Sequence, residues 1–341
     1  MNVFALTRAL VDLESTTRQE KAVGEFLFAR LAELAARFDG RVERMNVAPE
    51  RNNVFVTFGE PVVVFSTHMD TVPPFFPSRE DNEFIWGRGS CDAKGIIAAM
   101  LAAAEKLLNS GTRNLALLFV VGEEKDSAGA KLAAAHPRGA KFLINGEPTE
   151  NQLALGSKGV LRYEVAAKGK LAHSAYPELG HSAIHDLLDV LQEIRGIPLP
   201  EDGLLGQSTL NVGTIAGGRA PNVVADQAAA EIMFRTVGDP AAIRAAVQRA
   251  ATARAAEARE VLYHPALRLE PFDGLPTTVV AFATDIPVLQ GVWGKPFLIG
   301  PGSIHVAHTA EEHIPKRQLT EAVEIYARMA RQLLATGGTG A

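Results

Sequence analysis

The chain has 341 residues, 47% of them apolar and 21% charged, with a formal net charge of -5. That length suits two domains better than one core, and the negative balance argues against nucleic acid or an anionic membrane as the main partner. A single cysteine, Cys91, excludes an internal disulfide framework and a multi-thiolate metal site, so a metal would have to be held by His, Asp and Glu.

In chain order, the first apolar residues are interrupted by Arg8, Asp12 and Glu14, unlike a targeting segment. Residues 19–37 then place Val23, Phe26, Leu27, Leu31 and Leu34 at helical spacing, and Gly40 supplies a stop. Continuous apolar runs follow at 53–58 (NVFVTF), 62–67 (VVVFST), 115–121 (LALLFVV) and 141–145 (KFLIN), with a helical stretch over 93–108. The most lipid-like part of that helix, IIAAMLAAA at 96–104, is about half of what a membrane span needs, and a cytoplasmic location is expected. Apolar strands alternating with helices predict a mixed or parallel sheet covered on both faces.

The texture changes after residue 158. VLRYEVAAKG alternates like a half-exposed strand, 181–195 reads as a helix, STLNVGTIAGG and AAAEIMFRT read as strands, and 239–257 reads as a second helix, with a last strand near 260. This order predicts a small open-faced α+β domain, ferredoxin-like, inserted into the larger one. The first texture returns near 270, with a buried strand in KPFLIGPG (295–302) and an amphipathic helix over 318–334. The predicted domains are therefore 1–158 with 268–341, and 159–267 inserted between them. There are no internal repeats, and the tail GGTGA at 337–341 reads as disordered.

The residues that follow the buried runs share one chemistry. His68 and Asp70 follow the run at 62, Glu123, Glu124 and Asp126 the run at 115, Glu147 the run at 141, and His305 and His308 the run at 295; Asp92 precedes the alanine-rich helix. In open α/β sheets such residues converge beyond the carboxyl ends of the strands. A single His or Glu there is most simply a cap or a solvated loop residue. Four strand ends with one chemistry point instead to a cation, because converging buried carboxylates need neutralising and His with Asp or Glu suits zinc and similar divalent ions.

The segments STHMDTVPP, WGRGSCDAKG, VVGEEKDSAG, NGEPTE, AHSAYPELG and GPGSIHVAHTAEEHI resemble, in order and spacing, the motifs of the co-catalytic zinc aminoacylase/carboxypeptidase family. Acetylornithine deacetylase, succinyl-diaminopimelate desuccinylase and glutamate carboxypeptidases are members. The resemblance covers essentially the whole chain and implies an α/β zinc-peptidase-like catalytic domain, its mixed sheet covered by helices, with an inserted lid or dimerisation domain. It implies His68 and Glu147 as ligands of one metal, Glu124 and His308 as ligands of the second, Asp92 as the carboxylate bridging both, and Glu123 as general base. His173 matches a family histidine that reaches the partner subunit's active site and stabilises an oxyanion; Asn222 and Arg235 resemble residues that hold the substrate's carboxylate.

Beside that resemblance, Asp70 reads as the partner that orients His68 through its other ring nitrogen, or as a turn cap before TVPP. The family pattern of His followed four residues later by Glu fits His308 and Glu312, which leaves His305 as a loop residue. Cys91 reads as a buried filler, GRGSCD lacks the third glycine of a dinucleotide loop, and Arg235 could be a solvated strand residue. His136, His181, His185, His264 and His313 read as ordinary surface or helix-end residues. The expected function is a dizinc amidohydrolase, with cobalt or manganese as alternative metals, that removes an N-acyl group from a small amino-acid derivative bearing a free carboxylate. It is acetylornithine-deacetylase-like and expected to form a homodimer through the inserted domain. The alternatives are a metallo-dipeptidase or carboxypeptidase on the same fold, and a non-catalytic amino-acid-binding relative, which would have no use for Glu123.

Overall fold

The computed structural model describes residues 1–337, so the expected disorder of the GGTGA tail lies, beyond Gly337, outside the described residues. The chain forms two compact units: residues 1–155, 269–278 and 284–341 make the first, and 156–268 with 279–283 the second.

The first unit is built on a mixed sheet. Strands β1 (Arg41–Ala48), β2 (Arg51–Phe58), β3 (Val63–His68), β6 (Leu115–Val120), β7 (Phe142–Asn145) and β8 (Leu153–Ser157) join the strand Lys295–Leu298 in the order β1, β2, β6, β3, β7, Lys295–Leu298, β8. Outside it, two short strands, β4 (Arg79–Glu80) and β5 (Phe84–Trp86), pair with each other, and β5 pairs on its other side with His313–Pro315. The central pairs β6 with β3, β3 with β7, and β7 with Lys295–Leu298 are parallel, and the flanking pairs β1 with β2 and β2 with β6 antiparallel.

Every residue of β3 and β6 is buried, which is why these strands read as unbroken apolar runs rather than alternations. Helices α1 (Val3–Val11), α2 (Lys21–Phe38), α3 (Lys94–Asn109) and the C-terminal helix Lys316–Gly337 share one core with the sheet, and α4 (Ala128–Ala135) packs with Trp293 and Leu289 in another. Each fully buried Val, Leu or Phe in these layers is worth roughly 1.5–3 kcal/mol, and α3, alanine-rich and buried along nearly its whole length, lies at their centre.

The second unit has the chain order strand, helix, strand, strand, helix, strand. Its antiparallel sheet runs Thr209–Gly217, Gln227–Thr236, β9 (Gly159–Lys168), Glu257–His264. Helices Ala183–Arg195 and Ala241–Thr252 bury their apolar stripes on the sheet. In Gln227–Thr236 alternate residues are buried, the half-covered pattern expected of a sheet with helices on one face. Thr209–Gly217 is an edge strand, exposed along most of its length. Among the described residues, no helix is long and apolar enough to cross a membrane.

Candidate metal centre

Parallel pairing gathers the acidic and histidine residues on one edge of the first unit. His68 closes β3 opposite Val120 of β6, and Ser66 of β3 lies opposite Asn145 of β7. The chain therefore leaves β6 toward Glu123 and Glu124, and leaves β7 toward Glu147, beside His68. Asp92 arrives from the turn ahead of α3, and His308 from the loop that follows Lys295–Leu298.

His68 Nδ1–H donates to the main-chain carbonyl of Asp70 at 3.0 Å, which leaves Nε2 to face Asp92 Oδ1 at 2.9 Å. The second Asp92 oxygen lies 3.3 Å from His308 Nε2, and that nitrogen lies 3.1 Å from Glu124 Oε1. Donor atoms of His68, Asp92 and Glu124 all fall within 4.8 Å of one another. His308 holds a left-handed backbone, φ 63°, a conformation uncommon outside glycine that here accompanies a ring aimed at two carboxylates. His305 is exposed on the same loop. Glu147 is buried.

The charges are out of balance. Burial and the neighbouring carboxylates push Glu123 and Glu147 well above the usual carboxylate range, and Glu124 upward as well. Burial opposes ionisation of Asp92, yet contacts with His308 and His68 hold its carboxyl below the ordinary value. Bonds to Asp92 and Glu124 raise His308 to about 10. Two imidazoles thus accompany four carboxylates in a site that is buried at His68, Asp92 and Glu147 and open to solvent at His308. A divalent cation fits this donor set, because it meets ligands of the right type at one point and offsets both the burial and the mutual repulsion that raise the glutamates.

The nearer Asp70 carboxylate oxygen stands 3.7 Å from His68 Nδ1, with the main-chain carbonyl of the same residue closer, at 3.0 Å. The Asp70 side chain serves the neighbouring loop. Oδ1 accepts from the amides of Gly122 (2.9 Å) and Glu123 (3.1 Å), and Oδ2 from the amide of Glu124 (3.3 Å) and the Thr17 hydroxyl (2.8 Å). Burial favours the neutral acid, but His68, Thr17 and the Glu123 amide hold the Asp70 carboxyl below its usual value. Asn53 of β2 ties both ends of the same loop, donating to Gly129 O at 2.8 Å and accepting from Val121 N at 3.1 Å. Gly122 (φ +81°) makes the turn, where a Cβ would meet Asp126 and Arg51 side-chain atoms at 2.9–3.0 Å.

In the second unit, His173 and Asn222 lie on adjoining antiparallel segments: His173 pairs with Val223, and the Ser174 amide donates to Asn222 O at 3.0 Å. His173 Nδ1 accepts from the Ala175 amide at 3.1 Å, so in the neutral ring Nε2 carries the proton. Arg235, on Gln227–Thr236, is half-buried and has no carboxylate partner among the described residues; burial lowers its pKa. Cys91 is buried, its thiol pushed well up by burial and donating to Ser303 O at 3.3 Å. Sequence reasoning missed Asn53, Thr17 and Asp285, whose buried carboxyl is raised to about 6 by burial against the pull of Ser127 and His68. None of the three stands in a patterned motif.

The model of peptidase family M20/M25/M40 matches residues 64–332. A peptidase M20 domain-containing protein of Schizosaccharomyces pombe is 39% identical over 337 residues, covering 96% of this chain and 84% of that protein. A probable carboxypeptidase of Paracoccidioides lutzii is 35% identical over 376 residues, covering 96% and 84%. Among solved structures, an M20 family metallo-carboxypeptidase of Sulfolobus solfataricus superposes with a TM-score of 0.77 at 16% identity, over 96% of this chain and 98% of that one.

Proposed function

The chain belongs to peptidase family M20/M25/M40, a hydrolase acting on amide bonds, and on that premise we propose that it is a two-metal carboxypeptidase or dipeptidase acting on small peptides with a free carboxylate. The observation that carries the proposal is the meeting of His68, Asp92 and Glu124 donor atoms within 4.8 Å, with His308 against two of them. Deacylation of an N-acyl amino acid, acetylornithine-deacetylase-like, is the second reading. The motif resemblance favours it, and the bond broken is the same linear amide.

In this reading two divalent ions, zinc with cobalt or manganese as substitutes, would be held by His68, Glu147, Asp92, Glu124 and His308, with His68 and Glu147 assigned to one ion, Glu124 and His308 to the other, and Asp92 to both. When bound, the pair supplies Lewis-acid polarisation of the scissile carbonyl and acidifies water enough for attack near neutral pH. Glu123, next in sequence to Glu124 and outside the His68–Asp92–Glu124 group, takes the proton of the attacking water and passes it to the departing nitrogen. The Nε2–H of His173 donates to the oxyanion as it develops, in the centre of a partner subunit. Arg235, half-buried and without a counter-ion among the described residues, binds the substrate carboxylate through both oxygens, with Asn222 as second donor.

The inserted segment 159–267 acts as lid and dimerisation domain. Support for a dimer comes from the exposed edge strand Thr209–Gly217, whose Ile215 is also exposed, an edge that a second copy can extend.

The test is a panel of dipeptides, longer peptides and N-acetyl and N-succinyl amino acids, incubated with zinc- or cobalt-loaded protein while free amine is measured. Release from peptides supports the first reading, and release confined to acyl amino acids supports the second. No release from any member, with metal bound, refutes both.

A further inference from the structure

Glu312 follows His308 by four residues, and its side chain is completely buried. One carboxylate oxygen, Oε2, accepts from Arg88 Nη1 at 2.5 Å. The other, Oε1, accepts from three main-chain amides, those of Gly89 (2.9 Å), Cys91 (3.2 Å) and Asp92 (3.1 Å). Arg88 is buried too: its Nε donates to Pro74 O at 3.2 Å, and its guanidinium lies 5.0 Å from the centre of the Phe76 ring. The main chain adds a bond from Gly87 N to Glu312 O at 3.1 Å, and Cys91 Sγ–H ties the same turn to Ser303 O. The turn that delivers Asp92 is thus folded around a carboxylate owned by the segment that delivers His308.

A buried ion pair is poor evidence of stability, since desolvating both partners offsets most of their attraction. Its geometric effect here is specific. Asp92 meets His68 through Oδ1 and His308 through Oδ2, so the root of its side chain must be fixed relative to both. Glu312 supplies that fix by gripping the Asp92 amide itself.

We propose that Glu312, through its grip on the three amides, is a positioning residue that sets Asp92 against His308 and so predefines the cation site before any cation arrives. The inference rests on the metal-centre reading above and concerns how the ligands are placed, not which they are.

Two double variants separate positioning from packing. Arg88→Met/Glu312→Gln and Arg88→Met/Glu312→Leu both remove the ion pair, but only the first keeps an oxygen for the three amides. Affinity of the metal-free proteins for cobalt and zinc is measured by chelator competition, alongside the cobalt d–d spectrum and the thermal midpoint. The glutamine variant is expected to bind within about threefold of wild type. The leucine variant should lose about 10- to 100-fold, the range for groups that orient metal ligands, with an altered d–d spectrum. Equal affinity of the two folded variants overturns the inference.

Hydrogen exchange of wild type covers the case in which the leucine variant does not fold. The amides of Gly89, Cys91 and Asp92 should be protected in metal-free protein; if they exchange freely until metal is added, the cation orders the turn and the inference fails. Wild type that takes up no metal at all overturns the metal-centre reading and this inference with it. Metal uptake unchanged in both variants overturns this inference alone.

Discussion

Asp70→Asn is the most informative single change near the centre, because the contacts of the carboxylate allow its effect to be worked out. Its oxygens accept three amide N–H bonds, from Gly122, Glu123 and Glu124, and one hydroxyl bond from Thr17. An asparagine can keep the pair on Oδ1 as neutral bonds, each weaker by about 1 kcal/mol than its charge-assisted counterpart. Its NH2 must then face the Glu124 amide donor to donor, which leaves that N–H without an acceptor at about 1–3 kcal/mol. The sum is about 3–5 kcal/mol. Thr17→Val, which removes only the hydroxyl, should cost about 1 kcal/mol. Urea denaturation of the metal-free protein, with unchanged slope, measures both, and hydrogen exchange over residues 121–125 locates the change. His68 should keep its orientation, since a main-chain carbonyl holds it. A loss below about 1 kcal/mol in Asp70→Asn, with loop amides exchanging as in wild type, would refute the assignment of Asp70 to the loop.

Chelation should abolish turnover, and zinc or cobalt should restore it; full activity in rigorously metal-free protein excludes a metal mechanism. Glu123→Gln should lower kcat on the order of 100- to 10,000-fold while metal content holds, whereas Glu124→Gln should weaken metal retention, and the reverse pattern would exchange their roles. Arg235→Met should raise KM roughly 10- to 100-fold for substrates with a free carboxylate and leave the corresponding amides unaffected. His173→Ala should cut kcat on the order of 100- to 1,000-fold. Mixed with Glu123→Gln chains, it should recover about a quarter of wild-type activity if the histidine acts across a dimer, and no recovery after demonstrated subunit exchange places its action within one chain.

What the sequence discloses depends on whether a constraint leaves a mark in residue type. β3 and β6 are buried on every residue and announce themselves as apolar runs. β1 does not: at the sheet edge only Met45 is buried, and Arg41, Glu43 and Arg44 give the strand the look of a loop. Helix α1, nine residues with Arg8 as their one charge, spans about two and a half turns, too few for helical spacing to stand out. At the centre, His68, Asp92 and Glu124 are legible because strand ends collect them and their chemistry is shared. The grips of Asp70 and Glu312 are not legible, because three of the four bonds to each come from main-chain amides, which every residue but proline offers. Sequence discloses the candidate donors more readily than the groups that hold them still.

The order in which the sheet is completed bears on synthesis. β7 pairs on one side with β3, which precedes it, and on the other with Lys295–Leu298, made about 150 residues later. At translation rates of roughly 5–20 residues per second, an open parallel edge waits roughly 8 to 30 seconds on the ribosome for its neighbour. During that wait the edge must avoid other nascent strands. Because His308 comes later still, a prematurely terminated chain carries an exposed edge and an incomplete donor set, so truncation should yield aggregates rather than partly active enzyme.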